Sequence, residues 1–535
     1  MTLYGYNMKK LKAALILDNL SLSEWQKNAL EEAYDSLDIK IIINCQNTRI
    51  KRNIRKNFLY YALNFFTLKN SLTKLTRYNI TNEKVVNFDS IYKGSWQSIP
   101  NAISQQLIDE GIEVVIKYGM SLLRIDDYLK ALPILSFHHG NPSKYRGRPA
   151  GFYELLYNED NLGLIVQRLT NKLDGGEVLA FAESKLVYHS YKKTAENFYE
   201  QSRFLLSKAL INLKNNKAIA IDAKGKNYRL PSNFLVAYFF LLLLQRRLKY
   251  LIYGAFYEKK WKVGTTIFRP DLTASNTING NDITELSIEP KYSFYADPFF
   301  SIDSNKIRLE ALDKNSGLGD IIEIDQKDNY KSTLLLTGCH FSYPFSFVLN
   351  KKEYLLPEVA SHSAQYYYDL MDDSDKRNSL KGLEGKRIVD ATLIEHEQNW
   401  YLFFGENDTA HSILNLWVSD SIDGEFKKHP DSPVCMSPAS ARMAGRILST
   451  NEGVFRFGQN NNRGYGSSIV ISKIIKMSPK VYEERVCGSI NINDRLGPHS
   501  IDFSKKEGKI LIDCYTDEFS LSAGVRRIKA LLSKR

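Results

Sequence analysis

The chain has 535 residues with 43% hydrophobic content, enough for two buried cores, and no low-complexity tract, which excludes a disordered or fibrous protein. Its 72 Lys and Arg against 60 Asp and Glu leave a net charge of +12, which favours anionic partners such as nucleotide-sugar phosphates, polyprenyl phosphates, anionic lipid or nucleic acid. In chain order, the short β-rich runs Ala13-Ala14-Leu15-Ile16-Leu17 and Ile39-Lys40-Ile41-Ile42-Ile43 flank a helix-forming stretch, Ser23 to Ala33, that opens behind a Ser cap. Strand, helix, strand predicts a parallel right-handed crossover, whose ligands bind at the carboxyl ends of the strands. Arg49, Lys51, Arg52, Arg55 and Lys56 then form a dense basic cluster that reads as a solvated helix face.

Further on, Val114-Val115-Ile116-Lys117-Tyr118-Gly119-Met120-Ser121-Leu122-Leu123 reads as a strand and the turn after it. Ile134-Leu135 leads into Ser136-Phe137-His138-His139-Gly140-Asn141-Pro142-Ser143-Lys144-Tyr145-Arg146-Gly147, and Leu173-Asp174-Gly175-Gly176 follows. A His after a buried strand and an Asp in a Gly-framed turn bring an imidazole and a carboxylate over one pocket, a pairing suited to acyl transfer to an amine. Taken singly, His138 reads as a packed histidine and Asp174 as a turn former; the pair carries the argument.

These motifs, over roughly residues 10 to 215, resemble those of the folate-dependent formyltransferases, whose pattern runs Asn-x-His-Pro-Ser, Arg-Gly, Leu-Asp-x-Gly. The resemblance implies an α/β, Rossmann-type parallel sheet and 10-formyltetrahydrofolate as formyl donor. It also implies catalytic roles for His138 and Asp174, and a folate pocket lined by Gly119, Met120, Leu122, Leu123, Arg146 and Gly147. Ser136 stands where the family has its catalytic Asn. A hydroxyl reaches less far than an amide, and losing one oxyanion-hole donor costs about 10²- to 10³-fold in rate. Asn141 or His139 could supply the donor; otherwise the fold has lost turnover and only binds.

Phe234 to Leu244 is an apolar run too short for a bilayer span, which takes about 20 residues. With Arg246, Arg247 and Lys249 behind it, it reads either as a helix lying in a membrane interface or as a buried helix joining two domains, and the basic segment Val525 to Arg535 has the same interfacial character.

From residue 261 the sequence repeats. Units opening at Tyr295-Ala296-Asp297-Pro298, Ser342-Tyr343-Pro344-Phe345, Val389-Asp390-Ala391-Thr392, Met443-Ala444-Gly445-Arg446 and Gly497-Pro498-His499-Ser500 are each answered by a strand ending in Glu310, Glu358, Glu406, Gln459 or Asp513. A period of about 40 to 50 residues, five times over, predicts a five-bladed β-propeller whose recurring polar side chains line a central funnel.

This half resembles the N-terminal propeller domain of glucosamine inositolphosphorylceramide transferases and its bacterial relatives, on His340-Phe341-Ser342-Tyr343-Pro344-Phe345, Leu356-Pro357-Glu358, His429-Pro430-Asp431-Ser432-Pro433-Val434, Ala441-Arg442-Met443-Ala444-Gly445-Arg446 and Phe455-Arg456-Phe457-Gly458-Gln459. Asp297, Glu358, Asp390, Arg442 and His499 are its candidate substrate-binding residues. The architecture is also similar to five-bladed glycoside hydrolases, whose base, modulator and acid Asp297, Asp390 and Glu358 would imitate.

The predicted organisation is therefore a formyltransferase-like domain (1–215), a hydrophobic and basic connecting helix (216–260), a five-bladed propeller (261–522) and a basic tail (523–535). The implied activity is formyl transfer to the amine of an amino sugar on a nucleotide or lipid carrier, in surface polysaccharide or glycolipid biosynthesis. A catalytically degenerate formyltransferase fold joined to a glycan-binding propeller, and a propeller-borne glycosidase or glycosyltransferase, are the alternatives. Transfer to methionyl-tRNA ranks low, because the tRNA enzymes of that family carry a small β-barrel here. Five cysteines without CxxC spacing and no cleavable signal sequence point to a reducing cytoplasm, at most peripheral to the inner face of a membrane. No Cys and His fall at zinc-ligand spacings, so no metal is expected.

Overall fold

A computed structural model describes residues 9–47, 55–359, 361–370, 377–504 and 508–533. Arg49, Lys51 and Arg52 of the early basic cluster, and the last two residues of the basic tail, lie outside them. The chain divides into two compact units, Met1–Leu248 and Lys249–Arg535.

In the first unit, β1 (Leu11–Asp18), β2 (Leu37–Cys45), β3 (Lys84–Phe88), β4 (Val114–Lys117) and β5 (Ile134–His139) pair in parallel in the order β3-β2-β1-β4-β5. β6 (Asn161–Arg168) and β7 (Glu177–Lys185) extend the sheet antiparallel beyond β5. Ala13 to Leu17 are fully buried, as the unbroken apolar run requires of a strand covered on both faces. Helix α1 (Glu24–Glu32) starts where the Ser cap predicts it, with the Gln26 side chain accepting the Ser23 backbone N–H at 2.8 Å. Helix α2 (Phe58–Thr67) follows β2, α3 (Asn101–Asp109) leads into β4, and the short α4 (Phe152–Leu156) precedes β6. Helices α5 (Tyr191–Ser202) and α6 (Leu205–Lys214) pack on β7.

The segment expected as a single connector over 216–260 is three things. Lys226–Tyr228 pairs in parallel with Tyr145–Gly147, inside the first unit. Helix α7 spans Asn233–Phe256. Tyr257–Ile267 is already a propeller strand. Of α7 only Val236 and Phe239 are buried, the latter with its ring 4.2 Å from that of Phe152. No helix among the described residues is long and apolar enough to cross a membrane.

The second unit is a five-bladed β-propeller. Three blades are four-stranded meanders: 292–336, 342–379 and 388–428. In the fourth, Gly453–Gln459, Ile469–Met477 and Tyr482–Asn493 carry the short Arg442–Met443 and Leu448–Thr450 at one edge and Asn276–Asn279 in parallel at the other. The fifth joins Ile501–Phe503 and Lys509–Phe519 to Tyr257–Ile267 and Thr284–Glu285. Each of the five repeats thus opens one blade in chain order, and the fourth and fifth blades are completed by strands from the start of the unit. The ring closes by borrowing strands from its beginning, which leaves no long unpaired edge at the seam.

The opening strands of the first three blades share a bulge, and the bulged residues Asp297, Tyr343 and Asp390 all sit in the left-handed region, at φ 48°, 46° and 50°. Such strain persists only where surrounding contacts hold it. Outside the funnel, Arg456 is fully buried and makes a double-pronged ion pair to Glu484 at 2.7 and 2.6 Å. At the far end, helix α8 (Ala523–Ser533) carries the basic tail, but Arg526 is paired with Glu258 and Arg527 donates to the Gly254 and Tyr257 carbonyls.

Candidate functional site

His138 is the penultimate residue of β5, at the carboxyl end of the parallel ladder. Strand alternation puts Ser136 and His138 on one face and Phe137 and His139 on the other. His139 packs among Trp25, Phe198 and Tyr199 and its Nε2 meets Ser202 Oγ at 3.0 Å. Burial, helped by the neighbouring His138, pushes its ring down to about 3. It is a core histidine and cannot replace the missing amide. Asn141 has its Oδ1 accepting from the N–H and Oγ of Ser143 in its own loop.

Asp174 occupies the tip of its turn in the left-handed region, at φ 45°. Gly176 lets that turn close: a Cβ there would lie 2.1 Å from the Arg168 carbonyl. One Asp174 oxygen accepts the Gly147 N–H at 2.8 Å and the other stands 3.5 Å from His138 Nδ1. The far ring nitrogen, Nε2, is 3.2 Å from the Tyr145 carbonyl and is the donor there, an assignment made from the partner.

A cavity of about 850 Å³ adjoins Asp174. Asp174, Gly147 and Leu122 border it with Gln97 and Ser121, and Lys56, Arg148 and Arg229 give it a basic wall. The other expected pocket residues face elsewhere. Met120 and Leu123 are in the core; Gly119 lies so near β1 that a Cβ would meet Leu17 and Asp18 backbone at 2.6 and 2.7 Å; Arg146 donates to the Gly225 carbonyl at 2.7 Å.

Ser136 is buried in the ladder, its register partners Lys117 on β4 and Gln167 on β6. The sequence gives no hint of a role for Lys117, because a lysine closing an apolar strand normally marks the exit to solvent. Here burial pushes its ammonium down to about 8 against the opposing pull of Asp18 and Asp174. Asp18 is itself raised by burial, and its Oδ1 accepts the Met120 N–H at 3.0 Å.

In the propeller, the expected residues form two clusters. His499 has Nε2 3.0 Å from Asp297 Oδ1 and Nδ1 2.7 Å from Asp513 Oδ2, all three buried. Both contacts lie off the ideal hydrogen-bond line and are chiefly ionic. Burial alone would lower the imidazole, but Asp513 and then Asp297 reverse this and hold it up to about 10. Each of the three also offers an atom within 4.8 Å of the others, the spacing of a possible cation site; without an ion the charged ring and the two carboxylates form an ion triad. Glu310 is raised to about 8 by burial and by Asp297.

In the second cluster Arg442 grips Asp390 through Nε and through Nη2 at 3.3 Å, and Nη2 lies 3.9 Å from Glu358. Burial and the Asp390 charge hold Glu358 well above the usual carboxylate range. Tyr465, which no repeat singles out, lies under the guanidinium at 5.2 Å and beside the His499 ring at 5.1 Å, joining the two clusters. Trp261 covers His499 at 4.3 Å. Glu406 departs from the repeat: it is half-exposed and paired with Lys386 at 2.9 Å.

A five-bladed propeller with a charged, buried polar centre defines the class of the second unit. Residues 275–497 match the family described as "Glucosamine inositolphosphorylceramide transferase 1, N-terminal". The chain is 28% identical over 206 residues to the glucosamine inositolphosphorylceramide transferase 1 of Oryza sativa subsp. japonica, a match covering 36% of this chain and 28% of that protein. The chain therefore spans less than a third of that relative. Among solved structures it is similar to a 4-N formyltransferase from Francisella tularensis, at 11% identity and TM-score 0.28, over 41% of this chain and 76% of the other. A thermostable family-43 glycoside hydrolase gives 14% identity and TM-score 0.31, over 38% of this chain and 80% of the other.

Proposed function

We propose that the first unit is an N-formyltransferase, moving a formyl group from 10-formyltetrahydrofolate to the amine of an amino sugar carried on a nucleotide or lipid, in the building of a surface polysaccharide or glycolipid. The observation that carries this reading is Asp174, which borders a cavity with a basic wall and is backed, 3.5 Å away, by His138 at the carboxyl end of a parallel sheet. The cavity, about 850 Å³, falls in the range of cofactor-sized sites, and Lys56, Arg148 and Arg229 suit the carboxylates of a folate or the phosphates of a sugar carrier. The donor supplies an activated formyl carbon.

The residues of the chain then have simple tasks. The amine attacks the formyl carbon, the new C–N bond forms as the bond to the donor nitrogen breaks, and the proton lost by the amine ends on that nitrogen, which leaves as the N–H of tetrahydrofolate. Asp174, with one oxygen tied to the Gly147 N–H, keeps the other to receive that proton, directly or through water. His138 stands 3.5 Å beside that oxygen, and the Tyr145 carbonyl fixes the ring. Lys117 is the ladder partner of Ser136, and its cationic form brings positive potential to the row where the family places an amide.

The test is turnover: full-length protein, 10-formyltetrahydrofolate and a panel of nucleotide-linked amino sugars, with release of tetrahydrofolate as readout. Asp174→Asn should lower the rate by about 10²- to 10⁴-fold. Saturable donor binding without turnover on any amine would instead support the catalytically degenerate fold.

A second reading concerns the propeller, whose two charged clusters support binding of a sugar or its phosphate at the funnel. The resemblance to a domain of proteins named transferases favours a place in glycan or glycolipid synthesis. Glycoside hydrolysis has less support, because Asp390 is clamped by Arg442 and Asp297 by His499, leaving neither free to activate water.

A further inference from the structure

The first unit presents an apolar face that its own core does not use. Of the ten residues of α2 only Tyr60 is buried, while Phe58, Phe65 and Phe66 are exposed, Phe66 by 76%. Beside it α7 exposes Phe234 by 84% and Leu241 by 62%, with Tyr238, Phe240 and Leu244 also at the surface. Leu59, Leu63, Phe66, Val236, Phe240 and Leu244 line an apolar groove of about 720 Å³ between the two helices. Soluble monomers rarely leave a contiguous patch of this kind uncovered.

The rim of the groove is basic. Lys192 and Arg247 line it, and Lys69 Nζ sits 4.0 Å over the Phe65 ring. Aromatic and aliphatic side chains flanked by Lys and Arg are the composition of the boundary between acyl chains and headgroups. Helix α7 is not long and apolar enough to cross a membrane, so any contact it makes with a bilayer would run along the surface. The cationic rim also argues against a second copy of the chain, which would bring like charges together.

We infer that α2 and the first half of α7 form a docking face for an anionic bilayer, with Phe65, Phe66, Phe234, Phe240 and Leu241 below the headgroups and Lys69, Lys192 and Arg247 at the lipid phosphates. This is independent of the chemistry at Asp174. It would let the first unit work at a membrane surface without a spanning segment.

The experiment is co-sedimentation of the full chain with vesicles of phosphatidylcholine alone and of phosphatidylcholine with one third phosphatidylglycerol. It is repeated on the double variant Phe66→Asp/Leu241→Asp, whose exposed positions leave the core intact, as near-ultraviolet circular dichroism will verify. The expected result is binding to the anionic vesicles that weakens with added salt and falls at least about tenfold in the variant. Three results would overturn the inference: no binding to either vesicle, equal binding to both, or binding unchanged in the variant. A dimer by light scattering that the same substitutions split into monomers would also overturn it, assigning the face to a second copy.

Discussion

Replacing His499 by Gln tests the electrostatic account of the propeller. In the native state the ring is held between Asp297 and Asp513 at 3.0 and 2.7 Å and keeps its proton up to about pH 10, against 6.5 for a free imidazole. That rise corresponds to roughly 5 kcal/mol of preference for the charged ring in the folded protein. The folded pKa is the higher one, so this stabilisation is complete below about pH 6.5 and is lost as pH rises towards 10. Across that window the wild type should lose about 1.4 kcal/mol for each pH unit through this group. Glu310 titrates near 8, so the cleanest comparison lies above it, between about pH 8 and 9.5, where His499 accounts for about 2 kcal/mol. The assay is urea unfolding followed by tryptophan fluorescence, for which Trp261, 4.3 Å from the ring, is a local reporter. His499→Gln should be less stable at neutral pH and its stability should fall less steeply over the alkaline window. Parallel stability curves for the two proteins would refute the charged triad.

Three other substitutions follow. Arg442→Met leaves Asp390 and Glu358 buried without their cation and should cost about 3–5 kcal/mol of propeller stability in the same unfolding assay. Gly147 stands at φ 85° with a virtual Cβ 2.2 Å from the Tyr228 carbonyl, and its N–H holds Asp174; Gly147→Ala should cost about 1–3 kcal/mol in the first unit, measured by thermal melting, and cut formyl transfer at least about tenfold while leaving the propeller transition in place. If the cationic form of Lys117 is used in catalysis, the wild-type rate should fall as pH rises through about 8, and a pH–rate profile of Lys117→Met should be lower and flat across that range. Stability moves the opposite way, since the depressed lysine favours folding increasingly between about pH 8 and 10.5.

The parts of this structure that are local in sequence were legible in it. The apolar runs at 13–17 and 39–43 are strands, Ser23 opens a helix, and the strands that answer the repeats carry Glu310, Glu358, Gln459 and Asp513 as buried polar residues, with Glu406 the exception. The His138–Asp174 contact was legible because motif order fixes both ends of it. The seam of the propeller was not, since nothing in 257–267 says that its partner lies at 509–519. The apolar run of α7 reads either as an interfacial helix or as a buried one; whether a neighbour covers it is a tertiary fact that periodicity does not contain. His138 and His139 differ only in strand parity, which decides that one faces a carboxylate and the other a cluster of rings. Lys117 and Tyr465 were missed because each gains its meaning from charges far away in sequence, Asp18 and Asp174 for one, Arg442 and His499 for the other.

The central claim is that Asp174, backed by His138, borders a formyl-donor site. Calorimetric titration of the full chain with a stable 10-formyltetrahydrofolate analogue tests it most directly, with Asp174→Ala and His138→Ala as controls of location. The account predicts saturable binding in the micromolar range, weakened at least about tenfold by Asp174→Ala. A folded wild-type protein that gives no binding heat and displaces no labelled analogue would contradict it.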